Sequence, residues 1–123
     1  MDIFFEKGIP GLESYKNFSI HKVQENEKFS VIISKEDSNI GFLSISPFEV
    51  KNDYEINLSD EIIKELDIKK PENVLVLGII TLGKILKEST INLKAPIIIN
   101  VENNKGSQLI LQDEKYKIKE PLE

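Results

Sequence analysis

The chain has 123 residues, of which 40% are apolar, a net charge of −5 and no cysteine. That length is close to the commonest size of a single domain and needs neither metal nor disulfide to fold. The missing thiols exclude disulfides, thiolate zinc sites, iron–sulfur clusters and cysteine nucleophiles, and they fit a reducing compartment.

Met1 to Lys7 holds two acids and a short apolar run, where a signal peptide needs a basic start and a longer apolar stretch. No apolar run approaches the ~20 residues that cross a bilayer. A soluble, cytoplasmic chain is expected, with a monomer favoured. All the basic residues are lysine. Arginine, the bidentate reader of phosphate and guanine, is missing, and net acidity repels a polyanion, so direct nucleic-acid binding is not expected.

Short runs rich in Ile, Val and Phe recur between turn signals. Ile3 to Phe5 opens the series, and Gly8-Ile9-Pro10-Gly11 breaks it with the Pro-Gly pair of a type II turn. Phe18 and Ile20 alternate with Ser19 and His21, the period of a half-buried strand. Phe29, Val31 and Ile33 repeat the pattern, which assigns Ser30, Ile32 and Ser34 to the opposite face. Gly41 to Ile45 forms a fourth strand, stopped by Pro47. Leu58, Ile62, Ile63 and Leu66 fall at helical spacing, with Ser59 or Asp60 as cap, and predict one helix of about two turns.

Val74 to Leu82 is apolar on both faces. It is a doubly covered central strand or a buried helix, and its β-branched content favours the strand. Ile91 to Leu93 and Ile97 to Ile99 follow. Asn103 to Gly106 reads as a hairpin connection into Leu109-Ile110-Leu111, and Tyr116 and Ile118 alternate with lysines. The expected fold is mainly β, an antiparallel barrel or barrel-like sandwich of about eight to ten short strands with one short helix, forming one domain over 1–123.

The search for chemistry finds little. His21 is the one histidine, on the polar face of a strand and outside any Gly-x-Ser-x-Gly elbow. Gly8 and Gly11 lack the continuation of a phosphate loop. Phe4, Phe18, Phe29 and Phe42 fall at core positions of strands, which leaves no aromatic platform for single strands. The acids concentrate between Asp53 and Asp67, a helical stretch without calcium-loop spacing, so a solvated face is the ordinary reading. The functional alternative is a negative patch that steers a basic partner. Phe48, beside Pro47, is a core plug or an apolar anchor for a partner.

Taken together, the turns and strand ends resemble the FliW family of flagellar assembly factors. Gly8-Ile9-Pro10-Gly11-Leu12-Glu13, Pro47-Phe48, Thr90 to Asn100 and Gly106-Ser107-Gln108 carry the resemblance along almost the whole chain, and Asn92-Leu93-Lys94-Ala95-Pro96-Ile97 is its most specific piece. The family usually has an aromatic where Leu12 stands, and often an arginine where Asn104 stands.

The resemblance implies a non-enzymatic regulator that uses no cofactor. It binds CsrA, a translational repressor, and relieves repression of flagellin messenger RNA; it also binds flagellin, by partner exchange. Asn92, Pro96 and Asn100 carry the family signature, as partner contacts or as turn residues. Phe48, Asp60, Glu61 and Glu65 are the partner-facing candidates chosen on physical grounds. Two other readings are a small hydrolase using paired surface carboxylates and a nucleic-acid-binding barrel.

Overall fold

The computed structural model describes residues 1–122. Nine strands pair into one sheet: β1 (Asp2–Phe4), β2 (Asn17–Val23), β3 (Asn26–Ser34), β4 (Gly41–Ile45), β5 (Val74–Thr81), β6 (Thr90–Ile91), β7 (Ile97–Asn100), β8 (Lys105–Gln108) and β9 (Glu120–Pro121). Their order is β4-β3-β2-β1-β8-β7-β5-β6-β9, and a further pairing of β4 with β5 closes the first seven into a ring. All pairings are antiparallel except β1 with β8, which meet at Phe4 and Lys105.

Closure depends on β5 changing partners along its length. Val74 to Leu77 pairs with β7, and Gly78 to Ile80 pairs with β4. The apolar run on both faces has its explanation here, since β5 is covered on two sides. Leu75, Leu77 and Ile79 join Ile3, Phe5, Phe18, Ile20, Ile32, Ile97 and Ile99 in one core. Ile80 joins Ile45, Tyr54, Ile91, Leu93, Leu111 and Tyr116 in a second, and Val76 packs with Ile62, Leu66 and Ile98 in a third.

The facing of β3 is the reverse of the expected one. Ile32 and Ser34 are buried, whereas Phe29, Val31 and Ile33 are only half-buried. Residues opposite one another in an antiparallel pair share a face. Ile32 lies opposite Ile20, and Ser34 opposite Phe18, so β2 draws them inward. Phe29 and its cross-strand partner Ile45 instead pack in the second core, which covers the other side of these strands. Of the phenylalanines assigned to the core, Phe18 is fully buried, Phe29 and Phe42 are half-buried, and Phe4 is exposed because Ile3 and Phe5 take the inward positions.

The expected two-turn helix is α2 (Asp60–Glu65), capped by the Ser59 hydroxyl, which accepts from the Ile62 amide at 3.2 Å. It ends with Asp67 in the left-handed region (φ 52°). The Ile68 amide donates to the Ile63 carbonyl at 2.9 Å and the Asp67 amide to Lys64 at 3.2 Å, a Schellman ending built without glycine. A second, one-turn helix was not expected: α1 (Pro47–Val50), opened by Pro47 in its first turn.

Three boundaries also move. The β7–β8 turn occupies 101–104, with Asn104 at φ 59°, two residues before the expected position. Leu109 to Leu111 lies beyond β8, and Tyr116 and Ile118 lie outside any strand. The Gly8–Leu12 turn is as expected: Gly11 has φ 88° and the Leu12 amide donates to the Ile9 carbonyl at 2.7 Å.

Candidate functional site

The signature asparagines are absorbed by the fold. Asn92 Oδ1 accepts from the amides of Lys94 and Ala95, both at 3.0 Å, closing the turn into β7. Pro96 is buried, and its carbonyl accepts from Leu109. Asn100 is 1% exposed. Its Nδ2 donates to the Leu66 and Asp67 carbonyls at 2.9 and 3.1 Å, and its Oδ1 accepts from the Glu102 amide at 2.9 Å. These three residues hold turns and a helix end together. Their value is local satisfaction of buried backbone, and Asn100 has no surface left to offer a partner.

Phe48 sits on α1 and is 45% exposed, so it does not plug the core. Its ring meets Tyr54 edge-on at 5.4 Å, and Tyr54 meets Tyr116 at 4.6 Å. Beneath Phe48 the two tyrosines are fixed by polar bonds. The Tyr54 hydroxyl donates to the Leu93 carbonyl at 2.7 Å, and the Tyr116 hydroxyl accepts from the Glu55 amide at 2.6 Å. Phe48 therefore offers an apolar face on a rigid base, the geometry of a contact anchor.

Burial pushes the Tyr54 hydroxyl far above the ordinary value of 10, with the neighbouring Tyr116 adding to it. The folded state thus keeps its proton after the unfolded chain ionises. The resulting contribution is complete below pH 10 and is lost as pH rises toward the folded value. Tyr54→Phe is expected to cost about 1–2 kcal/mol at neutral pH, by leaving the Leu93 carbonyl without its donor. It also removes this group's share of the alkaline loss, which urea titrations at pH 7 and above pH 10 will show.

The acids on α2 divide into two kinds. Asp60 and Glu61 stand exposed in its first turn, where the helix N-terminus favours negative charge. Glu65 is drawn inward, with its side chain 9% exposed and Oε2 buried without a hydrogen-bond partner. Lys7 reaches both, at 3.1 Å from Glu65 and 3.9 Å from Glu61. Glu65 holds the Lys7 ammonium above its ordinary range, through direct contact first and its wider field second. Lys7 itself is 62% exposed, so solvent screens the pair. The negative face is therefore Asp60 and Glu61, and Glu65 belongs to the wall behind it.

His21 is exposed on β2 and shares a 3.1 Å hydrogen bond with the Ser19 hydroxyl. Among the described residues, no group of three or more His, Asp or Glu side chains is placed to hold a metal ion. Among the described residues, no helix is long and apolar enough to cross a membrane. Two clefts, of about 280 and 260 Å³, adjoin along residues 107–113 and are walled by 55–65. Sequence reading singled out the acids of one wall but not the groove itself, because its two walls lie about 50 positions apart and only the fold brings them together.

Fold and surface together define a mainly β barrel protein that presents shallow clefts, an exposed aromatic and a negative helix end. The family model described as FliW protein matches residues 1–122. The flagellar assembly factor FliW of Clostridioides difficile (strain 630) is 46% identical over 122 residues, covering 99% of this chain and 94% of that protein. FliW of Clostridium tetani (strain Massachusetts / E88) is 48% identical over 120 residues, covering 98% and 83%. A crystal structure of the flagellar assembly factor FliW superimposes with a TM-score of 0.92 at 36% identity, covering 98% of this chain and 84% of that one. The chain belongs to the FliW family of flagellar assembly factors.

Proposed function

We propose that this protein works in the cytoplasm by binding proteins and catalyses no reaction: it captures CsrA, relieving repression of flagellin messenger RNA, and releases or takes up flagellin in exchange. Membership of a flagellar assembly family over residues 1–122 carries the reading. The surface supports it. Asn92 and Asn100, which carry the family signature, are bound to backbone, and the exposed charge is negative at the start of α2. A repressor that binds RNA carries positive charge, which such a face attracts. The same acidity disfavours direct contact with nucleic acid. Competing equilibria then set the free CsrA concentration, because flagellin and CsrA draw on one pool of this protein.

Charge attraction acts mainly on the rate of encounter and fades with salt. Asp60→Lys with Glu61→Lys is expected to slow CsrA association by about tenfold at low ionic strength and to flatten its salt dependence, as read by stopped-flow fluorescence. An unchanged rate and an unchanged salt slope would remove the helix end from the encounter. Glu65 is left out of the variant, because a lysine there would bury a charge beside Lys7.

A further inference from the structure

We propose that the outer edge of the segment following β8 is a docking site for an extended, lysine-bearing peptide segment of a partner protein, which would add a strand to the sheet. The observation begins with backbone pairing. Beyond β8 the chain keeps its extended course, and the Leu109 and Leu111 amides donate to Pro96 and Lys94. Amides alternate in direction along a strand, so those of Ile110 and Gln112 point away from β7. Among the described residues neither finds an acceptor.

Exposed strand edges are usually blunted by proline, charge or a bulge. Residues 107–112, Ser-Gln-Leu-Ile-Leu-Gln, carry no proline and no charge, and Ile110 is 57% exposed. The space beside them is open. The two clefts of about 280 and 260 Å³ share Ser59, Leu109 and Ile110, and so form one groove along this edge. Its far wall is the irregular segment before α2, where the Ile56, Asn57 and Leu58 amides are also without acceptors among the described residues.

Charge selects the occupant. Glu55, Glu61, Glu65 and Asp113 line the groove against the single Lys7. Glu65 Oε2 is a buried acceptor still lacking a donor. Main-chain pairing at an edge supplies affinity and alternate side chains supply selection, so lysines alternating with apolar residues fit this edge. The site stands apart from the identity of CsrA or flagellin as partners.

The test uses the full chain, ¹⁵N-labelled, titrated at low salt with a terminally capped nonapeptide of alternating valine and lysine. Amide shifts are expected along 107–113 and 55–65, with slowed exchange at Ile110 and Gln112. A peptide with glutamate in place of lysine should bind about tenfold more weakly. Ile110→Pro removes the donor and should abolish binding. Ile110→Thr keeps the amide and should retain the slowed exchange, which separates edge pairing from a folding defect. Shifts elsewhere, or none at millimolar peptide, would overturn the proposal. Equal binding of the glutamate peptide would overturn its choice of occupant. Slowed exchange at Ile110 that grows with protein concentration, without peptide, would assign the edge to a second copy of the chain instead. A protein that binds this peptide but not CsrA would keep the site and lose the proposed function.

Discussion

Replacing Asn100 by alanine is expected to lower stability by about 2–4 kcal/mol, because it takes the partner from the Asp67 carbonyl and the Glu102 amide at once and empties a buried site. The side chain donates to Leu66 and Asp67 and accepts from Glu102, all within 3.1 Å, and is 1% exposed. It is a clamp: one end lies in β7 and the other holds the final turn of α2. Asn103 donates to the same Leu66 carbonyl at 2.9 Å. Asn103→Ala should therefore cost less, about 1 kcal/mol, since Asn100 still serves that carbonyl. Urea titrations of both variants check the ranking. Hydrogen exchange should quicken at the end of α2 in Asn100→Ala before it quickens in the barrel. Equal effects from the two asparagines would contradict the clamp.

Gly8→Ala should cost about 2–5 kcal/mol, combining a left-handed backbone with a collision. Gly8 has φ 70°, and a Cβ there would lie 2.6 Å from Glu13 Cα and 2.7 Å from the Glu13 carbonyl oxygen. Backbone on the far side of a tight turn has no rotamer by which to retreat. Gly11, three residues on, separates the two causes. It has φ 88° but open space where its Cβ would stand, so Gly11→Ala should cost only the conformational part, about 1–2 kcal/mol. Thermal melts of the pair read the difference directly. If the two variants melt together, the Gly8 contact with Glu13 gives way more easily than the geometry implies.

The barrel was legible where hydrophobic period and turn chemistry agreed. Phe18 and Ile20 alternate cleanly and point inward, and the double-sided run of Val74 to Thr81 is a strand covered on both faces. Reading failed where the partner strand decides. Phe29, Val31 and Ile33 are the larger set on β3, yet pairing with β2 turns Ile32 and Ser34 into the core. Strands of two residues, β6 and β9, have no period to detect, and they exist because Thr90 and Ile91 meet Glu120 and Pro121 across the fold.

The candidate site was less legible for the same reason. Asn100 resembles a strand-end surface residue until the helix 33 or more positions away is packed against it. Glu65 belongs to an acidic run in sequence, but its helical position faces inward, so burial separates it from Asp60 and Glu61. Sequence alone leaves Phe48 as a core plug or a partner anchor, and the turn of α1 that lifts it outward depends on Pro47 starting an unexpected helix. The groove beside Ile110 has no sequence signal, because an unpaired amide is a property of what does not lie next to it.

The most direct test of the proposed role is titration calorimetry of this protein against CsrA and against flagellin from the same organism, each at low and high salt. Saturable binding to both is the predicted result, with CsrA affinity falling at high salt and flagellin displacing CsrA when both are present. Binding to neither would contradict the partner-exchange account and leave a family member without the function proposed for it.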